Sequence, residues 1–535
     1  MSYNATLFNQ TGSRITAFDI DKPERIIWHG GRYWQIDMRF DEVRALIYRE
    51  VVMHPWQEPE PLPLVSCILV TKKDRLWCLP DALRSWAEQT YPNRELIVVS
   101  EDPEVADALP KHPAIAFRDC KVGATVGHKR NLAIDWAHGD IIAHFDSDDY
   151  SHPERLAEQV KALKRYPAQV CGYHTLRFLH TSGMTREFTL KEPHELHGNS
   201  LAYYRDHWER VGKFPDRNWA EDGHLLARTD PKLIARLDGG ERTIARHEDY
   251  KYNPEWRVVE PARLPKPPAV LFGMLSWNRA DVITESAAVL DSECSNFRLF
   301  GYECRYAIVD NGSQDNTVSQ LHAIGLRNGY IDEMYKNLGS AAGRNYLATE
   351  WVTGCDYIML VDCDISIVPG SALAMLQALR AKQTTAACVG ADWRNGTEDP
   401  AQTTDFCHRI DRLTHSPGLA LTQYGMFQAG LLREYKFDEN FGPGWGGEDN
   451  DWAMQVEACT GLQCWMADEI RYLHRGAHGS LKHLAAGGLD VRQDAKLRYE
   501  YLIRKWKGHE KFTDIVRFFE DKVKTGDVLP MEVTV

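Results

Sequence analysis

Hydrophobic and polar residues follow the same order twice along this chain. The apolar run Leu64–Val70 gives way to Thr71-Lys72-Lys73-Asp74-Arg75, and Ala269–Leu275 gives way to Ser276-Trp277-Asn278-Arg279. Short apolar runs with such punctuation predict buried strands that leave into a polar loop and then a helix. A second predicted strand follows in each half, Glu95–Val99 before Ser100-Glu101-Asp102 and Tyr306–Val309 before Asp310-Asn311-Gly312-Ser313. The segments Gly127-His128-Lys129-Arg130-Asn131 and Gly339-Ser340-Ala341-Ala342-Gly343-Arg344-Asn345 each open a predicted helix. A third strand then runs into acid, Ile141–Phe145 before Asp146-Ser147-Asp148-Asp149 and Tyr357–Val361 before Asp362-Cys363-Asp364. Each half later carries an acidic pair, Glu221-Asp222 or Glu448-Asp449, with a histidine 25 residues after the aspartate, His247 or His474.

A long repeat of this kind predicts two copies of one architecture. Strands alternating with helices, with polar residues at strand C-terminal ends, predict an α/β fold built on open, mostly parallel sheets. Ligands of such sheets bind outside the carboxyl ends of the strands. The Pro-rich stretch at 261–268 separates the halves as a stiff linker. The expected organisation is an accessory element over 1–60, with a hairpin-like piece at Arg25–Ile36 and a small helix. Domains over 61–260 and 268–485 follow, then a helical extension over 486–535 that packs on the second domain.

Composition narrows the classes. A chain of 535 residues with 43% hydrophobic positions and 16 Trp can bury more than one core. Its net charge of −13 disfavours broad binding to a nucleic-acid backbone, which needs a basic face. Neither a signal peptide nor an apolar stretch near the roughly 20 residues that span a bilayer is visible, so a cytoplasmic protein is expected. Twelve scattered cysteines without a CxxC pair read as reduced, partly buried thiols.

The acids suggest the chemistry. A divalent cation bridging the phosphates of a nucleoside diphosphate needs hard oxygen ligands, and carboxylates at i and i+2 on a turning strand end supply them. Asp148 and Asp364 are the candidate metal ligands, with Asp146 and Asp362 facing the ribose or water in the metal shell. A neutral imidazole can complete the set, from His247 and from His474, with His478 as rival to the latter. Such a metal neutralises charge growing on a leaving diphosphate. An attacking hydroxyl must lose its proton to a nearby carboxylate. Asp222 and Asp449 are the candidate bases, beside Glu221 and Glu448; the competing reading makes these acids partners of helix dipoles. Asp310 and Asn311, with Glu101 and Asp102 in the first half, are candidates for the nucleoside, and Thr71 and Ser276 at the first strand ends are candidates for binding the nucleotide sugar. Lys129 with Arg130, and Arg344, face the diphosphate or pair with the acids, and Asn131 and Asn345 beside them are further candidates for binding the nucleotide sugar. Glycines 442, 444, 446 and 447 permit close approach of backbone to a sugar, on which Trp445 can stack.

In combination these segments resemble family 2 glycosyltransferase domains of the GT-A fold, over residues 61–255 and 268–485. The resemblance rests on VDNGSQDNT at 309–317, KRN at 129–131, GRN at 343–345, FDSDD at 145–149 and VDCD at 361–364. GWGGEDND at 444–451 is similar to the acceptor-side motif of β-1,4-galactosyltransferases and of chondroitin-polymerase-type enzymes. Bacterial two-domain glycosaminoglycan synthases place these halves in the opposite order, so their product is not carried over. The resemblance implies inverting transfer from a nucleotide sugar, commonly a UDP-sugar, with Mn²⁺ or Mg²⁺, to a glycan or glycoconjugate acceptor. It also implies metal binding by Asp148, Asp364 and His474 and base roles for Asp222 and Asp449. Two functional readings stay open: both halves transfer sugar, or only the second does and the first binds or scaffolds. Transfer to modified bases of phage DNA stands behind both, weighed down by the acidic charge.

Overall fold

Strand β1 (Val65–Val70) is buried along nearly its whole length, which is why its sequence is a continuous apolar run rather than an alternating one. In the computed structural model the described residues are 62–529 without 166, 181, 193, 248–255, 327–328, 393–394, 401–402, 404–409, 411, 416, 419–421, 445 and 476–478. Four two-residue strands within the first 34 positions are also described. Met1–Leu62 and Pro63–Val535 form two separate units. In the first unit Ile26–Ile27 pairs antiparallel with Tyr33–Trp34, the hairpin expected there; the small helix expected near it lies outside the described residues.

In the first half, β1 leads to α1 (Leu79–Ala87), whose first turn holds Pro80, a residue that favours helix starts. There follow β2 (Arg94–Ser100), β3 (Ile115–Asp119), α2 (Val126–Trp136), β4 (Ile141–His144), β5 (Val170–Tyr173), β6 (Ala202–Tyr204), α3 (Gly223–Ala227) and β7 (Ile234–Leu237). They make a seven-stranded sheet in the order β7-β5-β6-β4-β1-β2-β3, parallel except for β6. A smaller sheet sets β8 (Thr243–His247) antiparallel to Asp149–Ser151.

The second half repeats this plan. Its elements are β9 (Ala269–Ser276), α4 (Ile283–Leu299), β10 (Glu303–Asp310), β11 (Gly329–Glu333), α5 (Ser340–Tyr346), β12 (Tyr357–Asp362), α6 (Ser371–Ala381), β13 (Ala386–Ala391), β14 (Leu413–His415) and β15 (Tyr424–Gln428). After them come α7 (Glu448–Thr460), β16 (Gln463–Ala467) and β17 (Tyr472–His474). The sheet runs β11-β10-β9-β12-β15-β13-β16-β14. Apart from the added β14, both the order and the antiparallel insertion at β15 reproduce the first sheet. The expected α/β class with mostly parallel sheets is therefore present twice.

One apolar core runs through both halves, taking in Leu83 and Trp86 of α1 with Phe297 of α4, Phe300, Tyr302 and Met375 of α6. Polar ties lie across the same contact. Arg84 Nη1 donates to the carbonyl of Gly301 at 3.0 Å, and Arg380 pairs with the buried Glu88 at 2.6 Å. Residues 261–268 of the linker carry neither helix nor strand. The C-terminal helices α8 (Val491–Trp506) and α9 (Thr513–Thr525) pack on Phe441 and Met454 of the second half. Among the described residues no helix is long and apolar enough to cross a membrane.

Because the core is continuous, Arg380→Ala is expected to weaken the whole unit. Leaving the Glu88 carboxylate buried without its cation costs about 3 kcal/mol. Urea unfolding followed by tryptophan fluorescence should show one transition moving to a lower midpoint. Two transitions of which only one moves would mean that the halves fold independently.

Candidate functional site

Each sheet brings the same set of side chains to the carboxyl ends of its strands. α2 begins at Thr125, whose hydroxyl accepts the amide of His128 at 3.2 Å, and it carries Arg130 inward. Gly127 lies in its first turn because a Cβ there would sit 2.0 Å from the carbonyl oxygen of Pro215. α5 starts after Gly339, at φ +92°, where a Cβ would meet the carbonyl of Gly442 at 2.4 Å, and it carries Arg344.

These two arginines tie the acids together. Arg130 reaches Asp146 at 3.1 Å and pairs with Glu221. Arg344 reaches Asp362 at 3.3 Å and Glu448 at 3.0 Å. Of the two sequence readings for these arginines, the structure shows pairing with the acids. A second arginine, missed by the sequence reading, serves the other aspartate. Arg75 pairs with Asp148, and Arg279 lies 2.6 Å from Asp364. Both stand in the polar segments after β1 and β9, where sequence alone gives their cations no role.

Burial raises the stakes of this pairing, because a carboxylate out of water must be neutralised or hydrogen-bonded. Burial, then repulsion from Glu448, pushes Asp449 up to about 7. Burial, then repulsion from Asp146, pushes Asp149 up to about 7. Glu221 and Asp362 are raised by burial against the opposing pull of Arg130 and Arg344. Asp222 caps α3 through the amide of Gly223 at 2.9 Å, and Asp449 accepts the amide of Asn450 at 2.9 Å. Both acidic pairs thus stand at helix N-termini, where the backbone dipole favours negative charge.

The histidines differ between the halves. Ile365 pairs across the small sheet with His474, which places its Nε2 3.5 Å from Asp364. Burial alone would lower His474, but the hydrogen bond and charge of Asp364 raise it. In the first half the register sets Asp149 opposite Ala245, so the position matching His474 is Ala245. The backbone amides confirm this alignment, since Arg246 donates to the carbonyl of Asp148 and Arg475 to that of Asp364, at 3.2 and 2.6 Å. His247 lies two positions further along β8, and the equal 25-residue spacing does not correspond to equal placement. Among the described residues no three His, Cys, Asp or Glu side chains surround one point. The oxygen of Asp364 and the imidazole of His474 are nonetheless a donor pair suited to a divalent cation.

The remaining candidates divide. The hydroxyls of Thr71 and Ser276 are buried at equivalent strand ends without a hydrogen-bond partner, as two orphaned groups in matching places. Glu101 holds Lys129 at 3.2 Å, and Asp102 accepts the amide of Lys73 at 2.9 Å. Asp310 accepts the amide and hydroxyl of Ser313 at 2.7 and 2.6 Å, and burial raises its pKa. Asn311 is engaged with Asn337, Leu338 and Gly339. Asn131 and Asn345 clamp the backbones of Phe214 and Phe437, each giving and accepting one hydrogen bond between 2.8 and 3.0 Å. Trp445 and His478 lie outside the described residues, as does the side chain of His247. A cleft of about 440 Å³ includes Asn345, Lys436, Asp438 and Lys505 in its lining, but none of Asp362, Asp364, Glu448 or Asp449.

Two glycines of GPGWGG are required by the protein's own packing. A Cβ on Gly444 would lie 1.8 Å from Asp494 and 2.2 Å from Arg498, both on α8. One on Gly447 would lie 2.8 Å from the ring of Phe441. Gly446 and Gly447 also hold φ values of +90° and +97°, where a side chain is strained. Gly444 and Gly447 are thus closed in by the protein itself rather than left open to a ligand.

Three comparisons bear on this arrangement. An uncharacterized glycosyltransferase of Methanocaldococcus jannaschii is 28% identical over 109 residues, 19% of this chain and 38% of that protein. The chain therefore spans well under two thirds of that relative. A mannosyltransferase from Pyrobaculum calidifontis in complex with GDP-Man and Mn²⁺ aligns over 48% of this chain and 70% of its own, at 14% identity and TM-score 0.35. TarS of S. aureus (residues 1–349) in complex with UDP aligns over 49% and 88%, at 12% identity and TM-score 0.31. The model of glycosyl transferase family 2 matches residues 66–216 and 273–437, one segment in each half and both ending short of the acidic pairs. Those segments together cover more than half of the chain, which belongs to glycosyl transferase family 2.

Proposed function

We propose that each half transfers a glycosyl group from a nucleotide sugar, a UDP-sugar by preference, to a hydroxyl of a glycan or glycoconjugate, with inversion. The observation that carries this reading is the duplicated bridge in which Arg130 or Arg344 joins the first aspartate of the strand end to the glutamate of the acidic pair. In a single displacement the acceptor oxygen bonds to the anomeric carbon as the bond to the diphosphate breaks. The acceptor proton passes to Asp222 or Asp449, each held beside the glutamate that the bridge fixes in place. Thr71 and Ser276, with unpartnered hydroxyls, are suited to the nucleoside, as are Asp310 and the Glu101–Asp102 pair. Asp364 with His474, and Asp148 in the first half, would hold Mn²⁺ or Mg²⁺, which neutralises charge on the departing diphosphate.

Titration calorimetry of the full chain with UDP and Mn²⁺ is expected to give two binding events. Asp148→Asn should remove one and Asp364→Asn the other. A single event in the unaltered protein, lost only with Asp364→Asn, would favour a first half that binds or scaffolds without turning over.

Asp222→Asn and Asp449→Asn are each expected to lower transfer by their own half at least a hundredfold, assayed with the donor that a nucleotide-sugar screen identifies. Retention of all transfer by Asp222→Asn, with abolition by Asp449→Asn, would sink the two-site reading. The pH dependence follows from the state of the base. Asp449 accepts a proton only when ionised, and its pKa is held up to about 7 by burial and by Glu448. Transfer by the second half should therefore rise with pH up to about 7 and level off above it. Glu448→Gln removes the neighbouring negative charge and should move that limb to lower pH.

A further inference from the structure

The C-terminal helices lie outside both segments that match the family, yet α8 reaches the acidic helix of the second site. Asp451 follows Asp449 by two residues in the first turn of α7 and is completely buried. Its carboxylate receives Lys505 Nζ at 2.8 Å and Trp506 Nε1 at 2.7 Å, both from the last turn of α8. The same ammonium lies 2.8 Å from Asp438, which also accepts the hydroxyl of Tyr501 at 2.8 Å. Asp438 follows Phe437, the residue clamped by Asn345 next to Arg344. One cation therefore ties the acidic helix to the loop beside the arginine that holds Glu448. Further along α8, Arg498 and Asp494 close over Gly444, and the Tyr499 hydroxyl approaches Gly446. In the first half Glu221 and Asp222 open a helix of five residues, α3, that sits outside this cross-tie.

We propose that Lys505 and Trp506 are positioning residues of the second site, locking the first turn of α7 so that Asp449 keeps its place against the Arg344–Glu448 pair. The proposal rests on Asp449 being the base. It adds that the helical extension belongs to the machinery of one half only. Removing Lys505 leaves the Asp451 carboxylate buried with a single donor, and the cheapest relief is for that turn to move towards water. A displacement of about 1 Å at a catalytic group costs on the order of a hundredfold in rate.

The test uses the full chain with Lys505→Met and Trp506→Phe, the second of which keeps an aromatic ring in place. Hydrogen exchange is followed with UDP and Mn²⁺ present. The amides of Asp451–Met454 should exchange at least tenfold faster in both variants, while those of α1 in the first half stay unchanged. In parallel, UDP release from UDP-hexoses is measured for chains carrying Asp148→Asn, so that the second half is read alone. There kcat should fall about 10- to 100-fold with KM for the donor within about twofold, and Lys505→Arg should restore most of it. Unchanged exchange in both variants overturns the proposal, as does a uniform rise in exchange across both halves, which marks a general loss of stability. Should Asp449→Asn leave turnover intact, the base assignment fails instead, and the exchange data still decide whether the brace exists.

Discussion

Four acids and two arginines, drawn from separate elements of two sheets, depend on one electrostatic constraint. Glu221 is buried beside Asp146, so its carboxylate needs a counter-ion, and Arg130 is the cation that stands between the two acids. Arg344 answers the same need for Asp362 and Glu448. The constraint spreads outward. The arginine must come from a helix whose start lies tight against the loop leading to the acidic pair, which excludes a Cβ at Gly127, beside Pro215, and at Gly339, beside Gly442. The glutamate must come from a loop fixed against that helix, and the Asn131–Phe214 and Asn345–Phe437 clamps hold this loop in each half. Guanidinium suits this task because its planar fork can face two carboxylates at once.

Much of this was legible in the sequence for reasons of periodicity. Buried parallel strands need continuous apolar runs, so β1, β4, β9 and β12 announce themselves, and the polar residues that follow mark the sheet end where ligands bind. The order of landmarks exposed the duplication, and the shared strand order carries it to the level of topology. What remained hidden is information about distance. Arg75 and Arg279 are ordinary loop cations until the loop folds back onto Asp148 and Asp364. Equal spacing suggested that His247 and His474 match, but loops between the acidic pair and the last strand differ by two residues in where they enter the small sheet, so Ala245 takes the place opposite. Spacing along the chain measures length; register measures position.

The glycines of the 442–447 segment teach the same lesson from the opposite side. Their presence signals close approach to the backbone, and at Gly444 and Gly447 the approaching groups are the protein's own. A side chain of α8 meets Gly444 and a ring meets Gly447. Glycine reports that something comes near the backbone, without reporting what comes near.

The two halves have the same plan and unequal surroundings. The first places Asp222 so close to Gly198 that a Cβ there would lie 1.3 Å from its carboxylate oxygen, so a bare backbone sets that acid's position. In the second, Lys505 and Trp506 donate to Asp451 of the acidic turn and Arg498 reaches the carbonyl of Gly442, all from a helix that the first half has no counterpart for among the described residues. The halves also contact each other through unlike partners, with α1 of one against α4 and α6 of the other. A duplicated fold whose copies pack asymmetrically is free to change one site while the other keeps its geometry, because the groups that fix each acidic pair are not shared. The conserved element of this architecture is then the arginine bridge within each copy, and the variable element is whatever holds the acidic turn from behind.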